Sequence, residues 1–263
     1  MKKTLITVIF ALMALACFAQ DGGPLKFLGI PVDGTEAQFA TKLKAKGFTY
    51  NAFFESYKGQ FNGKPVDVYI HTNHDKVDRV YVAFPFTSET EITTEYNRLL
   101  GQFKNNAKYM DLSMNEEIPS DENIYYEILI NKKRYQAGFS YFDPDRDGAE
   151  LMNAMLDTVS EFFTDEQLAR LRQYCLKALG ASEDEQQELM AKLTADMQAM
   201  GLGQETNGSL DEDRSVRFVL ALMDGMKSLA DGEVWFMIHE HYGDYQIGLY
   251  YDNLHNQAHG EDL

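Results

Sequence analysis

The first half of the chain alternates apolar and polar positions in the way that a sheet with one buried face requires. Val66, Val68 and Ile70 alternate with more polar side chains, so one face of this segment is expected to lie in a core. Asn62-Gly63 is a dipeptide typical of a two-residue hairpin turn. These patterns predict an antiparallel meander with strands at residues 54–61, 66–72 and 77–84.

Amphipathic helices are predicted before and after this meander. Thr35 and Gln38 have the spacing of a capping box for a helix over residues 33–48. Ser88 and Glu91 have the same spacing at the start of a longer helix, whose apolar residues fall on one stripe. Because such stripes pack against sheets, we expect an α+β fold in which helices cover an antiparallel meander sheet.

The region from Ala149 to Ala230 has a helical apolar period almost throughout. Capping patterns at Thr164 and Ser182 predict two further helix starts inside it. Gly201–Asp213 lacks an apolar period and is the best candidate for a linker. A final helix is expected to lead into strands at residues 234–242 and 245–252.

An internal similarity predicts a repeated helix-hairpin unit. Another hairpin is expected from strands at residues 124–130 and 135–142, joined by Asn131–Arg134. A shift of 110 residues aligns Tyr135–Tyr141 with Tyr245–Tyr251, and four of these seven positions are identical. Duplication is favoured over chance similarity between aromatic hairpins. The predicted organisation is a signal peptide at 1–19, an α+β domain at 20–148, and a region at 149–263 with helices and the second helix-hairpin unit packed with the first.

The N-terminus has the features of an export signal. Lys2 and Lys3 precede an apolar run from Leu5 to Ala16, and Cys17-Phe18-Ala19 is a small-x-small cleavage site. The mature chain is expected to begin at Gln20, to carry no transmembrane segment and to be periplasmic or secreted. The alternative is a lipoprotein signal that leaves a lipidated Cys17 and anchors the protein.

Charge and cysteine content limit the partners and the sources of stability. The chain has 41 acidic and 24 basic residues and a net charge of −17, which opposes binding to nucleic acid and to anionic membranes. Cleavage of the signal would leave Cys175 as the one cysteine, so no intrachain disulfide is expected. Cys175 lies on an apolar helical stripe, which favours a buried residue over a reactive thiol.

Three segments resemble a family of secreted proteins of Gram-negative bacteria that has no assigned activity. They are the opening Phe27–Thr35, the turn Gly59–Gly63, and the ending that runs from Tyr250–Asn253 to Gly260–Leu263. The likeness covers most of the mature chain and implies no catalytic residues. The order of elements is more remotely similar to BamE-type outer-membrane assembly lipoproteins and to β-lactamase-inhibitor-like domains, which implies a binding fold.

One acidic loop has the spacing of a calcium site. Asp143, Asp145 and Asp147 place oxygen ligands at alternate positions before a glycine. The twelfth position of the calcium loop is Ala154 instead of glutamate, and Glu150 is the nearby substitute. The alternative is that Asp147 and Glu150 cap the following helix. Apart from this calcium and the zinc considered next, the sequence indicates no cofactor.

Histidines near the C-terminus suggest a zinc site. His239 and His241 share one face of a predicted strand, and His255 from the tail is a candidate third ligand. Three protein ligands would leave the fourth position open for the water of a hydrolase. The alternative is that these histidines face solvent on an amphipathic hairpin.

An aromatic and amide cluster near the C-terminus suggests a binding surface, because tyrosines give rigid amphipathic contacts to peptides and sugars. No nucleophile motif or phosphate loop accompanies it. The sequence therefore favours a non-enzymatic secreted or periplasmic protein that binds a protein, peptide or glycan of the cell envelope. The alternatives are a zinc-dependent hydrolase and a calcium-stabilised accessory protein. The candidate ligand-binding residues are Tyr242, Tyr245, Tyr250, Tyr251, Asp252 and Asn253.

Overall fold

The protein has the predicted α+β architecture, built on an eight-stranded antiparallel sheet. The computed structural model describes residues 23–178, 181–199 and 210–258. The strand order in the large sheet is β3-β4-β5-β6-β10-β9-β8-β7, and β1 pairs with β2 separately. The strands are β1 Lys26–Phe27, β2 Ile30–Pro31, β3 Thr49–Asn51, β4 Ser56–Phe61, β5 Lys64–Asn73, β6 Lys76–Ala83, β7 Tyr109–Met110, β8 Gln136–Tyr141, β9 Gly232–His241 and β10 Asp244–Asn253.

Helices precede, interrupt and follow the strands of the first half and fill most of the second half. Within the described residues they are α1 Glu36–Ala45, α2 Glu89–Lys104, α3 Ile124–Leu129, α4 Gly148–Thr158, α5 Asp165–Ala178, α6 Glu183–Ala199 and α7 Leu210–Ser228, with a short 3-10 turn at Ser160–Phe162. None of the helices in the described ranges has both the length and the apolar character needed to cross a bilayer.

The chain forms two compact units, and one of them is discontinuous in sequence. The sheet unit comprises Gly23–Asp143 and the segment that starts at Ala230, and the helical unit runs from Pro144 to Leu229. This division differs from the predicted border after residue 148. The reason is that the hairpin β9–β10 hydrogen-bonds to β6 on one side and to β8 on the other, at the centre of the sheet.

The predicted meander is present, and its turns have the expected backbone geometry. Asn62 and Gly63 both have positive φ angles, 53° and 78°, as the hairpin between β4 and β5 requires. Tyr242 and Gly243 turn β9 into β10 in the same way, with φ angles of 53° and 91°. The side chain of Thr35 accepts a hydrogen bond from the Gln38 backbone, and the reciprocal bond completes the predicted capping box of α1.

The predicted strand at residues 124–130 is wrong, because this segment forms helix α3. The Asn123 side chain accepts a hydrogen bond from the Tyr126 backbone N–H at 2.8 Å and so caps the helix. Ile124 is buried and Ile128 packs against the core, which is the i, i+4 spacing of a helical face. The first of the two predicted helix-hairpin units therefore has no hairpin, and the unit is not repeated.

The similar segments Tyr135–Tyr141 and Tyr245–Tyr251 nevertheless occupy similar places. The first covers β8 and the second lies in β10, and these strands flank β9 on its two sides. Both segments bury their first, third, fifth and seventh residues in the same core. Their likeness follows from equivalent positions in one sheet, since each strand needs the same alternation of inward and outward side chains.

Helices α1 and α2 cover one face of the sheet, as expected. Phe39 and Leu43 of α1 and a longer stripe on α2 join the inward residues of the strands in one continuous core. Phe236 of β9 is fully buried in this core, with its ring centroid 5.0 Å from that of Tyr96 and 6.0 Å from that of Phe103. The inward face of the sheet is therefore sealed by apolar packing.

The helical unit confirms the predicted helix starts. The Thr164 hydroxyl accepts from the Gln167 backbone N–H at 3.3 Å, and the Ser182 backbone N–H donates to the Glu185 carboxylate at 2.9 Å. Cys175 is buried, as predicted, and burial raises the pKa of its thiol to about 11, which keeps it protonated and unreactive at neutral pH.

Several predictions fall partly or wholly outside the described residues. The signal peptide, Cys17 and the Gln20 start lie there completely. The linker predicted at Gly201–Asp213 lies there up to residue 209, and its last four residues already belong to α7, which begins at Leu210.

Candidate functional site

A row of aromatic side chains crosses the face of the sheet opposite α1 and α2, which is called the open face. Cross-strand register aligns Tyr69 of β5 with Tyr81 of β6, Tyr81 with Tyr250 of β10, and Tyr250 with Trp235 of β9. The ring centroids of successive pairs lie 5.4, 4.7 and 3.9 Å apart, with interplanar angles of 23°, 18° and 9°. These four residues are called the aromatic row.

The two-residue period of the strands creates this row. Trp235 lies between Val234 and Phe236, which point into the core, so its indole projects from the other face of β9. Stacked aromatic pairs stabilise neighbouring strands beyond the effect of area burial alone. All four side chains of the row are half-buried and keep part of their surface in contact with solvent.

A buried carboxylate fixes one end of the row. Asp252 is only 2% exposed, and its two oxygens accept hydrogen bonds from Arg79 Nε at 2.6 Å and Arg79 Nη2 at 2.8 Å. The same carboxylate accepts from Trp235 Nε1 at 2.8 Å. The guanidinium lies 5.7 Å from the Trp235 ring centroid and 5.6 Å from that of Tyr250. Asp252 therefore sets the orientation of the indole.

The charge on Arg79 is secured by this contact. The hydrogen bond to Asp252 raises the pKa of the Arg79 guanidinium, against the opposing effect of partial burial. Burial also raises the pKa values of the Tyr81 and Tyr250 phenols, so these two side chains stay uncharged at neutral pH. The site thus presents a neutral aromatic surface with one compensated ion pair at its edge.

A cleft lies beside Trp235, at the end of the aromatic row that faces β8. The residue paired with Trp235 on β8 is Gly138, which has no side chain to continue the stack. A cleft of about 330 Å³ lies there, lined by Trp235 and Gly138 together with Ser113, Asn115, Gln136 and Glu233. We call this cleft the slot.

Asn115 holds the wall of the slot in place. Its Oδ1 accepts from the Gly138 backbone N–H at 3.1 Å, and its Nδ2 donates to the Gly138 carbonyl at 2.8 Å. Nδ2 also donates to the Asp111 carboxylate at 2.6 Å. Because these bonds satisfy its amide, Asn115 acts as a rigid wall rather than as a free hydrogen-bonding group.

His239 flanks the row on the opposite side from the ion pair. Its Nε2 lies 3.3 Å from the Tyr250 hydroxyl. Burial, and secondarily the neighbouring His241, lowers the pKa of the His239 imidazole, so this side chain is neutral at pH 7. A neutral imidazole adds hydrogen-bonding capacity to the surface without adding charge.

The structure divides the ligand-binding residues predicted from the sequence between different environments. Tyr250 belongs to the aromatic row, and Asp252 accepts the hydrogen bond that orients the Trp235 indole of this row. Tyr245 and Tyr251 are buried in the core on the other face, and Asn253 is also buried. The remaining residue of the set, Tyr242, is fully exposed at the β9–β10 turn, where it lines a separate cleft of about 630 Å³ with residues that include Tyr125 and His241.

Sequence reasoning missed Tyr69, Tyr81, Trp235 and Arg79. Each lies at an outward position of a correctly predicted strand, so the two-residue period does place it on the open face. The missing information was the strand order, because these residues come together only when β10 pairs with β6.

The three histidines proposed as zinc ligands do not converge. His255 follows the end of β10 and its Nε2 lies 2.9 Å from Asp231 Oδ1, next to Gly232 at the start of β9. His239 lies near the far end of β9, roughly 20 Å away at the ~3.3 Å rise of a strand residue. Within the described ranges, no group of three or more His, Cys, Asp or Glu side chains could hold a metal ion.

The acidic loop proposed for calcium is divided at the border between the two units. In the sheet unit, Asp143 Oδ1 accepts from the Gly23 backbone N–H at 2.8 Å. In the helical unit, Asp147 Oδ1 accepts from the backbone N–H groups of Ala149 and Glu150 at 2.8 and 3.4 Å. Asp147 therefore caps α4, which is the alternative that the sequence offered. The four side chains proposed for calcium, Asp143, Asp145, Asp147 and Glu150, are not grouped as metal ligands in the described structure, and calcium binding through them stays a prediction.

We find no match for this chain among protein-family models, curated proteins or solved structures. The resemblance to a secreted Gram-negative family therefore stays a prediction. The aromatic row and the slot are the features from which a function can be argued.

Proposed function

We propose that this protein is a non-enzymatic binding protein of the cell envelope, exported to the periplasm or beyond, that holds its ligand on the open face of its sheet. The observation that carries this proposal is the aromatic row, with four stacked side chains held at one edge by Asp252 and Arg79. The export pattern at the N-terminus supports the location.

The composition of the face favours binding through contact area. Tyrosine, tryptophan and arginine are the residues most enriched among energetically dominant contacts in protein interfaces. Here the aromatic side chains are ordered in advance by mutual stacking, so a ligand does not have to freeze their rotamers on binding. A pre-ordered aromatic surface with polar groups at its edges suits a peptide or a glycan.

The overall charge limits the class of ligand. At −17 the protein repels polyanions at long range, which disfavours nucleic acid and highly phosphorylated ligands. The row itself is neutral, so the attraction at short range comes from aromatic contact and hydrogen bonds. A neutral or cationic envelope component fits both conditions.

Capture from an envelope extract tests this proposal. The full chain with a C-terminal tag is expressed, recovered from the periplasmic fraction, checked for a Gln20 start and immobilised, and the bound protein and carbohydrate are quantified. We expect Tyr69→Ser and Trp235→Ala each to reduce the captured material at least tenfold, because each removes one end of the aromatic row.

Tyr50→Ser is the matched control. Tyr50 is 46% exposed on the edge strand β3, where it pairs with the buried Tyr57 on the helix-covered side. This variant is expected to capture as much material as the wild type. Equal capture by the Tyr69 and Trp235 variants, with unchanged thermal melting, would show that the open face is not the binding surface.

A further inference from the structure

We propose that the slot beside Trp235 binds a single pyranose ring of a neutral glycan. This inference rests on the proposed function, since it names the ligand class of one end of the same face. It goes beyond that proposal in assigning the ligand to a specific cleft with its own walls and its own test.

Trp235 presents one face of its indole to Tyr250 and the other to the slot. One face of Trp235 stacks on Tyr250 at a centroid distance of 3.9 Å and an interplanar angle of 9°. In the strand order β10-β9-β8, the opposite side of the indole is turned toward Gly138, which has no side chain, and Trp235 lines the slot there together with Glu233. A flat apolar surface is thus turned toward the slot, which is what the C–H face of a sugar ring requires.

Two contacts fix the orientation of the Trp235 indole. The hydrogen bond from Trp235 Nε1 to Asp252 Oδ2 satisfies the indole N–H and prevents the ring from turning. The stack on Tyr250 prevents it from tilting away from the slot. Binding of a ring therefore costs little rearrangement on this side of the cleft.

Polar side chains form the rim of the slot. The Ser113 hydroxyl and the Gln136 amide also line the slot, and both residues are exposed to solvent. Each can donate and accept hydrogen bonds. Hydroxyl groups around the edge of a sugar, with an apolar face between them, match this combination of an aromatic wall and a polar rim.

Size and charge agree with this ligand class. The slot holds about 330 Å³, at the lower end of the ~300–1,000 Å³ typical of small-molecule sites. One ring fits such a volume and a long chain does not, so the rest of a glycan would extend along the face. The net charge of −17 favours a neutral sugar over a phosphorylated or acidic one.

The chain has one tryptophan, so its emission reports the slot directly. Cellobiose, maltose, lactose and diacetylchitobiose are titrated while Trp235 emission and its quenching by acrylamide are measured. We expect at least one disaccharide to shift the emission and to reduce acrylamide quenching at least twofold. Sorbitol is the ligand control, because it offers hydroxyl groups without a ring face and should change neither.

Two variants localise the effect. Gly138→Ala places a methyl group in the slot, 3.0 Å from Glu233 Oε1, 3.7 Å from Trp235 Cβ and 3.9 Å from Ser113 Oγ. The methyl group takes space in the slot and displaces the flexible Glu233 carboxylate, and should weaken disaccharide binding at least tenfold. Gln136→Ala removes an exposed rim amide without touching the core, and should weaken binding about threefold to tenfold. Gly101→Ala is the matched glycine control: a Cβ there meets no atom within 4 Å, and affinity should not change.

Three results would overturn the inference: no disaccharide changes the emission, sorbitol acts like the disaccharides, or Gly138→Ala binds as tightly as the wild type. The proposed function fails separately, when envelope capture does not depend on Tyr69 and Trp235. Capture that depends on Tyr69 together with a silent sugar titration would remove the slot proposal and leave the binding face in place.

Discussion

Replacement of Phe236 by alanine is expected to lower the free energy of unfolding of the sheet unit by about 3–5 kcal/mol. Phe236 is completely buried, and its ring contacts Tyr96 and Phe103 of α2 and Phe139 of β8. Truncation leaves a cavity where helix and sheet meet, and close-packed neighbours can fill it only partially. Urea unfolding followed by Trp235 emission measures the loss.

Met237→Ala is the control for this change, one position further along β9. Met237 is half-buried on the open face, so its truncation is expected to cost less than about 1 kcal/mol. A similar loss for the two variants would contradict the assignment of one covered and one open face. The comparison therefore tests the register of β9 as well as the packing.

Replacement of Asp252 by alanine is expected to lower the free energy of unfolding of the sheet unit by about 2–3 kcal/mol. Removing one partner of a buried ion pair costs about 3–5 kcal/mol when the other charge stays buried. The Arg79 side chain is 38% exposed and can regain part of its hydration, which reduces this loss. The Trp235 N–H loses its acceptor at the same time, so the emission of Trp235 should change.

Asp252→Asn separates charge from geometry in this network. An amide oxygen can still accept from the indole N–H while the negative charge is lost. We expect this variant to lie between the wild type and Asp252→Ala in urea unfolding, with an emission close to that of the wild type. If Asp252→Ala unfolds like the wild type, the carboxylate does not support the aromatic row.

Local signals in the sequence predicted most of the elements. The positive φ angles at Asn62 and Gly63 and the caps at Thr35 and Thr164 are set by residues within a few positions of each other. The alternation in β5 and β9 likewise reports burial on one side of each strand. Turns, helix caps and the burial pattern of a strand depend on residues close together in sequence, so a single sequence contains the information that predicts them.

Other features were beyond local reasoning. Residues 124–130 are rich in β-formers, but the Asn123 cap and the burial of Ile124 and Ile128 on one side favour a helix. The row joins Tyr69 and Trp235 across four strands, and no local pattern states that β10 lies between β6 and β9. The histidine prediction is a different case, because His239 and His255 lie at opposite ends of the β9–β10 hairpin, a separation that the predicted strands already implied.

Site-specific photocrosslinking in intact cells tests the central claim most directly. A photoreactive phenylalanine derivative replaces Tyr69 on the open face or Tyr50 on the helix-covered side. The two positions are on neighbouring parts of one sheet, so labelling efficiency and expression can be matched. We predict crosslinks to an envelope component from position 69 and none from position 50. Crosslinks from position 50 alone would contradict the assignment of the binding surface to the open face.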